Sequence, residues 1–160
     1  MTRWQRENDL GSEVMVTIRQ KTRIEMKLSA TAETHARTRV KVRDVEGLID
    51  EPEIRGGTNQ APSPTETLMA SLMGCTNVIT HKIAHKMGVE ISAMDIRLRA
   101  QFDRRGVLLE EEVERPFSDL VMDIDITTNA TDEQMEAIKR DLEKFCPIAK
   151  VIRGSGINVT

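Results

Sequence analysis

The fold is decided by one stretch, residues 63–88, which reads SPTETLMASLMGCTNVITHKIAHKMG. Ser63 is a typical N-cap residue, Pro64 suits the first helical position, and Glu66 completes a capping box. A glycine at the far end of the stretch is a typical helix stop. The stretch therefore predicts a helix that ends at Met87 and is about 36 Å long at about 1.5 Å per residue, which is enough for a central spine.

The apolar face of this helix carries a cysteine near its middle. Apolar residues recur around it at steps of three and four, the spacing of one helical face. The members of this face are Leu68, Leu72, Cys75, Ile79 and Ile83. A lone cysteine on such a face is most often a small core residue, so a chemical role for Cys75 needs a second observation.

The second cysteine of the chain supplies that observation. Cys146 lies in FCPIAKVIRG, directly before Pro147. If a short helix starts at Pro147, Cys146 lies at its N-terminus, where free N–H groups and the helix dipole favour a thiolate. Two cysteines in a reducing compartment disfavour a structural disulfide and leave inert burial, metal ligation and redox chemistry open.

Length, charge and hydropathy limit the classes of protein to consider. The 160 residues predict one domain, residues 1–160. The formal net charge of -3, from 26 acidic and 23 basic residues, disfavours nonspecific binding to nucleic acid. The first residues lack the apolar segment of a signal peptide, and no run of about 18 apolar residues occurs. We therefore expect a cytoplasmic protein that has neither nucleic acid nor membrane as a partner.

Strand patterns flank the central helix on both sides. Residues 1–50 contain three strand-like segments, EVMVTI at 13–18, RIEMKL at 23–28 and RVKVRDV at 39–45. Residues 89–160 predict a hairpin, a second helix and a terminal strand, with strands at 94–102 and 120–127 and the strand INVT at 157–160. The second helix is opened by Thr131 and carries its apolar residues on one side, namely Met135, Ile138, Leu142 and Phe145. The predicted class is α+β, with antiparallel sheets around a long central helix.

Two motifs in this order resemble a known superfamily. They are GGTNQAPSPTETLMASLMGCT at residues 56–76 and FCPI at residues 145–148. They look like those of the osmotically inducible protein C and organic hydroperoxide resistance (OsmC/Ohr) superfamily, and the match covers most of the chain. The resemblance implies an intertwined homodimer in which the two central helices pack inside, strands of both chains complete the sheets, and two sites lie at the subunit interface.

The resemblance also implies a reaction. In the superfamily members that are peroxidases, the central-helix cysteine attacks an organic hydroperoxide and becomes a sulfenic acid, which the Cys-Pro cysteine resolves as a disulfide. Carried over, Cys75 is the attacking thiol and Cys146 the resolving thiol. A dithiol reductant, possibly a lipoyl protein, completes the cycle, and no cofactor or metal is required. The implied role is defence against oxidative stress.

The same peroxidases hold the thiolate with an arginine and hold that arginine with a glutamate directly after the helix proline. A buried thiol keeps a high pKa unless a cation stands beside it. By spacing, the arginine corresponds to Arg37, with Arg39 as the alternative. The glutamate position is occupied by Thr65 in this chain, and Glu66 lies one residue later, about 100° around the helix.

Further residues and functions stay open beside this interpretation. Met69 and Met73 flank Cys75 and are candidates to shape a substrate pocket, although methionine in a core is ordinary. His81 and His85, four residues apart, define a metal-binding alternative, but the sequence shows no third ligand and surface histidines are the simpler explanation. The other alternative is a dimeric protein that binds a small apolar ligand or senses redox state without catalysis.

Overall fold

The computed structural model describes residues 22–157 and residue 159 of the chain. The described part contains three helices and two antiparallel sheets, which confirms the α+β class. In chain order the elements are β1 (Leu28–Ala32), β2 (Thr38–Val42), β3 (Val45–Ile49), α1 (Pro64–Lys86), β4 (Ile91–Phe102), β5 (Phe117–Thr128), α2 (Asp132–Phe145) and α3 (Pro147–Gly154). None of the described helices has the length and apolar content that crossing a bilayer needs.

Helix α1 begins with the predicted capping box. The backbone N–H of Ser63 donates to Glu66 Oε2 at 2.8 Å, and the N–H of Glu66 donates to Ser63 Oγ at 3.4 Å. The helix has 23 residues and ends at Lys86, one residue before the predicted end. Gly88 follows with φ 69°, a left-handed conformation that glycine adopts without steric cost.

The predicted hairpin and second helix follow α1. Strands β4 and β5 pair antiparallel, with Ile96 opposite Ile124. Helix α2 begins with a second capping box, because Gln134 and its N-cap Thr131 exchange hydrogen bonds of 2.9 and 3.3 Å. Residue 159 forms a single parallel bridge to Leu120, where the sequence predicted a terminal strand.

The apolar core lies between α1, β5 and α3. Its fully buried leucines, Leu72 and Leu120, pack with Cys146, and Cys75 contacts the same cluster from the side. The helical periodicity therefore placed the central cysteine correctly. Two residues predicted to face inward are exposed instead: Leu68 is 42% exposed and Phe145 is 53% exposed.

The N-terminal strands form a separate sheet in the order β1-β2-β3. The strand predicted at residues 23–28 begins only at Leu28, and the segment predicted as one strand at 39–45 bends at Arg43, whose φ is 56°. That bend makes a hairpin, with Val42 opposite Val45. The predicted strand at residues 13–18 lies outside the described residues.

A loop, residues 50–62, connects this sheet to α1. Its glycine pair is required by the close approach of the backbone: a Cβ on Gly57 would lie 1.7 Å from the carbonyl oxygen of Glu51. Within the described residues, no helix packs extensively against the β1-β2-β3 sheet. The sheet is therefore attached to α1 by the loop rather than by a shared apolar core.

Candidate functional site

The two cysteines meet although they are far apart in the sequence. Cys75 on α1 and Cys146 at the N-cap of α3 lie 71 residues apart, and their Sγ atoms are 2.9 Å apart. Both thiols are free. The contact follows from the packing of α3 against α1. Leu72 of α1 and Leu120 of β5 lie in the same buried cluster as Cys146.

The short helix expected after Cys146 is present as α3. Cys146 is its N-cap, and the backbone N–H of Ala149 donates to Cys146 Sγ at 3.4 Å. Only 1% of Cys146 is exposed, whereas Cys75 is partly buried. Cys75 is therefore the more accessible of the two thiols, and Cys146 lies behind it with a helix N-terminus at its sulfur.

The environment of Cys75 within its own chain does not favour a thiolate. Burial is the main cause that raises the pKa of the Cys75 thiol, and the hydrogen bond with Cys146 raises it further. A contribution from the backbone of Ile148 acts in the opposite direction. Since a reactive cysteine must be ionised, this thiol needs a cation from outside the packed helices to react quickly at neutral pH.

An open cleft of about 390 Å³ reaches Cys146. Its walls are mainly apolar and come from β5, α2, α3 and residue 159, with Met122, Ile124, Leu142 and Ala149 among them. The exposed side chain of Lys139 and the partly exposed Arg153 border it. The cleft gives a small apolar molecule a path to Cys146, whereas Cys75 does not line it.

The two methionines proposed to shape a pocket lie in different environments. Met69 is 9% exposed and belongs to the core cluster around Leu72 and Cys146. Met73 is partly buried. Met122, which the sequence did not single out, lines the cleft and accepts a weak hydrogen bond from Thr76 Oγ1 at 3.7 Å.

Of the candidate arginines, Arg37 lies in the β1-β2 turn and Arg39 in β2, and both make their side-chain hydrogen bonds within residues 33–60. Arg37 Nη1 donates to Thr58 Oγ1 at 3.1 Å and to Gln60 Oε1 at 3.3 Å, both in the loop before α1. The Nε atoms of Arg37 and Arg39 donate to the two carboxylate oxygens of Glu33 at 2.9 and 2.6 Å. No hydrogen bond joins either arginine to a cysteine within the described residues.

Comparison with known proteins agrees with this arrangement. The profile of the OsmC-like protein family matches residues 57–160, which include both cysteines. The chain belongs to the OsmC-like family. No curated protein matches this OsmC-like chain significantly.

Solved structures share the OsmC-like fold at low sequence identity. An OsmC-like protein from Mycoplasma pneumoniae has 12% identity and a TM-score of 0.69, covering 86% of this chain and 96% of its own. A protein from Psychrobacter arcticus, described as a putative osmotic stress induced and detoxification response protein, has 21% identity and a TM-score of 0.70, covering 86% and 95%. An organic hydroperoxide resistance protein OsmC from Legionella pneumophila has 17% identity and a TM-score of 0.63, covering 88% and 96%.

This OsmC-like chain uses the start of α1 for capping. Thr65, which the sequence comparison predicted at the position of the peroxidase glutamate, places its hydroxyl 3.2 Å from Ser63 Oγ. Glu66 is engaged with the backbone of Ser63, and that hydrogen bond is the main reason that the pKa of Glu66 lies below its ordinary value. Neither side chain is bonded to Arg37.

The histidine pair of this OsmC-like chain has no third metal ligand beside it in the part of the chain that the structure describes. His81 and His85 are exposed on α1, and His81 Nδ1 lies 2.9 Å from the carbonyl oxygen of Asn77. Across the described residues, no group of three or more His, Cys, Asp or Glu side chains is placed to hold a metal ion.

Sequence reasoning missed the polar residues around Arg37. Glu33, Asp50, Thr58 and Gln60 lie in turns and loops, where no periodicity marks a shared surface. The one available signal was the segment GGTNQ beside the acidic DEPE, which pairs a tight turn with carboxylates.

Proposed function

We propose that this OsmC-like chain is a cysteine-based peroxidase that reduces organic hydroperoxides in defence against oxidative stress. The observation that supports this most directly is the 2.9 Å contact between the sulfurs of Cys75 and Cys146. An oxidised Cys75 would form in contact with the thiol that can resolve it. The Legionella pneumophila neighbour, described as an organic hydroperoxide resistance protein, points to the same substrate class.

The reaction proceeds in three balanced steps. The Cys75 thiolate attacks the terminal peroxide oxygen, the O–O bond breaks, and the alkoxide takes a proton and leaves as an alcohol while Cys75 becomes a sulfenic acid. The Cys146 sulfur then attacks Cys75 Sγ, a disulfide forms and water leaves. A dithiol, possibly a lipoyl group on a partner protein, reduces the disulfide and is itself oxidised to a disulfide.

The environments of the two cysteines support the roles proposed for them. Cys75 is the more exposed thiol and is the proposed site of peroxide attack, whereas Cys146 is buried. Met69 and Met73 remain the proposed apolar contacts for the organic part of the substrate. We expect the protein to work in the cytoplasm, where dithiol reductants keep the pair reduced between turnovers.

We further propose that the active unit is a homodimer. Arg37 lies in the β1-β2 turn, at one end of a sheet that no helix of its own chain packs against extensively within the described residues. On α1, Leu68 and Val78 remain 42% and 48% exposed, which leaves apolar surface for a second central helix. A second copy could bring its Arg37 to Cys75 and supply the missing cation. Sedimentation should give the mass of two 18.1 kDa chains, and a monomer at all concentrations would contradict this part of the proposal.

The test is peroxide consumption with dihydrolipoamide as reductant, comparing cumene hydroperoxide with hydrogen peroxide. We expect the wild-type protein to turn over the organic peroxide faster, and Cys75→Ser to consume neither. Asn77→Ser, an exposed polar change on the same helix, is the control and should turn over like the wild-type protein. Absence of turnover in the wild-type protein, with both thiols still free after peroxide, would refute the peroxidase proposal.

One observation favours a second function. The apolar cleft of about 390 Å³ beside Cys146 would suit a small apolar ligand, in a protein that binds it or senses redox state without turnover. In that case cumene hydroperoxide would oxidise the thiols without sustained consumption, and an apolar probe would bind equally well to Cys75→Ser. Sustained turnover would exclude this alternative.

A further inference from the structure

The position of Arg37 is set by a five-residue turn between β1 and β2. The backbone N–H of Glu33 donates to the carbonyl oxygen of Arg37 at 2.9 Å. Thr34 Oγ1 accepts hydrogen bonds from the N–H groups of Ala36 and Arg37 at 3.1 and 2.9 Å. The backbone of Arg37 is therefore fixed before its side chain makes any contact.

One carboxylate holds the guanidinium of Arg37. Glu33 Oε2 accepts from Arg37 Nε at 2.9 Å, and Glu33 Oε1 accepts from Arg39 Nε at 2.6 Å. The side chains of Glu33 and Arg37 are only 24% and 23% exposed, whereas Arg39 is 46% exposed. The hydrogen bond from Arg39 is the main reason that the pKa of Glu33 lies below its ordinary value, so Glu33 is a carboxylate at neutral pH.

The loop before α1 fixes the other side of the guanidinium. Thr58 and Gln60, which accept from Arg37 Nη1, are themselves held by Asp50, a residue with no exposed surface. Asp50 Oδ2 accepts from Thr58 Oγ1 at 2.6 Å and from the N–H of Gln60 at 3.0 Å. Within the described part of the chain, Arg37 Nη2 makes no hydrogen bond, so its N–H groups are directed to neither Glu33 nor the loop.

The residue expected to hold the arginine cannot do so in this chain. Thr65 occupies the glutamate position, carries no charge and contacts Ser63, while Glu66 caps α1. Glu33 supplies a carboxylate in direct contact with Arg37 from a different element, the β1-β2 turn. A carboxylate that fixes an arginine orients its remaining donors, as bidentate and charge-assisted pairs do elsewhere.

We propose that Glu33 is the positioning residue of this site, and that it holds Arg37 so that the free Nη2 edge faces the Cys75 thiolate of a second copy. The proposal rests on the proposed dimeric peroxidase. Glu33 takes over here the task that the residue after the helix proline has in the peroxidases that the chain resembles. Asp50 supports the same arrangement from the loop through Thr58 and Gln60.

Several other ionisable side chains lie near Arg37. Besides Glu33 and Arg39 they are Asp50 beneath the loop, Glu46, whose carboxylate lies 3.9 Å from Arg39 Nη1, and His35, which lies against Gly56. His35 Nε2 would be 3.1 Å from a Cβ placed on Gly56. The pH profile of Cys75 must therefore be compared among variants that each change at most one of these groups and leave the others in place.

The experiment measures the reactivity of Cys75 against pH in full-length protein carrying Cys146→Ser, so that a single thiol reports. Alkylation by iodoacetamide gives the pKa of Cys75, and stopped-flow oxidation by cumene hydroperoxide gives the rate of sulfenate formation. The variants are Arg37→Ala, Glu33→Gln and the two combined, with Glu46→Gln as the control because it removes a carboxylate that contacts Arg39 but not Arg37. Glu33→Asp retains the charge and keeps the test available if Glu33→Gln does not fold.

We expect Glu33→Gln to raise the pKa of Cys75 and to slow its oxidation by about 10- to 100-fold, since a small misplacement of a catalytic group has effects of this size. Glu33→Asp should recover part of the rate, and Glu46→Gln should match the unmodified chain. In the Arg37→Ala background, Glu33→Gln should cause no further change, because Glu33 acts through Arg37.

Three results would overturn the proposal, and they differ in what else they refute. If Arg37→Ala raises the pKa of Cys75 but Glu33→Gln does not, Glu33 is not the positioning residue, while the peroxidase proposal stands. If neither variant changes the pKa or the oxidation rate, and the wild-type protein shows no turnover, both proposals fail. Equal losses from Glu33→Gln with and without Arg37 would show a structural role and refute the positioning role.

Discussion

The half of the molecule that carries the cysteines and the half that carries Arg37 are held together by different forces. The cysteine half, residues 63–157, packs α1, α2 and α3 with the β4-β5 hairpin around fully buried leucines. In the arginine half, residues 22–62, the only buried residue is Asp50, and its contacts are hydrogen bonds. Apolar packing fixes the sulfur pair within one chain. In the arginine half, the side chain of Arg37 makes its hydrogen bonds with Glu33, Thr58 and Gln60, and none with a cysteine in the described residues.

Under the proposed function, a single chain holds the sulfur pair but does not bring a cation to it. The sulfur contact needs only helices that pack in the same chain, so it is present. Burial raises the pKa of the Cys75 thiol. Within the described residues, neither Arg37 nor Arg39 forms a hydrogen bond with this thiol that would lower its pKa. In the proposed dimer, the cysteine half of one chain would meet the arginine half of the other.

The largest expected effect tests the cysteine half by removing its second sulfur. Cys146→Ser should abolish turnover with dihydrolipoamide, because the sulfenic acid on Cys75 loses its resolving partner. One equivalent of cumene hydroperoxide should still be consumed, and dimedone should then label Cys75. Mass spectrometry of the labelled protein gives the site. Retained turnover in Cys146→Ser would show that the 2.9 Å contact is not used.

The next effect tests the apolar packing that sets the sulfurs. Leu72→Ala should lower the free energy of unfolding by about 2–5 kcal/mol, since Leu72 has no exposed surface and the change leaves a cavity. Leu68→Ala on the same helix is the control, because Leu68 is 42% exposed. Urea unfolding measures both. If the loss in Leu68→Ala is smaller and depends on protein concentration, the exposed face of α1 lies in the dimer.

A smaller effect is expected in the arginine half. Gly57→Ala should cost about 1–3 kcal/mol, because a Cβ there would overlap the carbonyl oxygen of Glu51 and force the loop to move. Gly47→Ala, where a Cβ meets nothing within 4 Å, is the matched glycine control. Formation of the Cys75–Cys146 disulfide with a chemical oxidant should be unchanged in Gly57→Ala. A loss of that reactivity would show that the two halves are not independent.

The smallest effect is expected at Glu66, where the loop of the arginine half meets α1, and it tests whether this residue acts in capping or in catalysis. Glu66→Gln keeps an acceptor for the Ser63 N–H and should change the stability at pH 7 by less than about 1 kcal/mol, because the carboxylate is largely exposed. The pKa of Glu66 is lowered in the folded chain, so its contribution is present above the unfolded pKa near 4.5 and is lost as the pH falls through the folded pKa.

The difference in stability between wild type and Glu66→Gln should therefore disappear in acid, which unfolding curves at several pH values can follow. Peroxide turnover should be unchanged at pH 7. A large loss of turnover in Glu66→Gln, with stability retained, would mean that Glu66 rather than Glu33 serves the arginine.

The sequence predicted well what depends on local patterns. The caps and length of α1, the β4-β5 hairpin and the short helix after Cys146 all follow from spacing within a few residues. It failed for Leu68 and Phe145, because periodicity marks an apolar face without saying what covers it. It could not predict the contact of Glu33 with Arg37, since a turn has no repeat that shows which side chains converge.

The contact between Cys75 and Cys146 has a consequence for how the oxidation state of this protein is communicated. The two sulfurs already touch in the reduced chain, and both are anchored on packed helices. Joining or separating them requires no lid, hinge or unwinding of an element. Reduced and oxidised chains should present almost the same outline to other molecules, so any partner must recognise the difference by exchanging electrons with the pair rather than by recognising a changed shape.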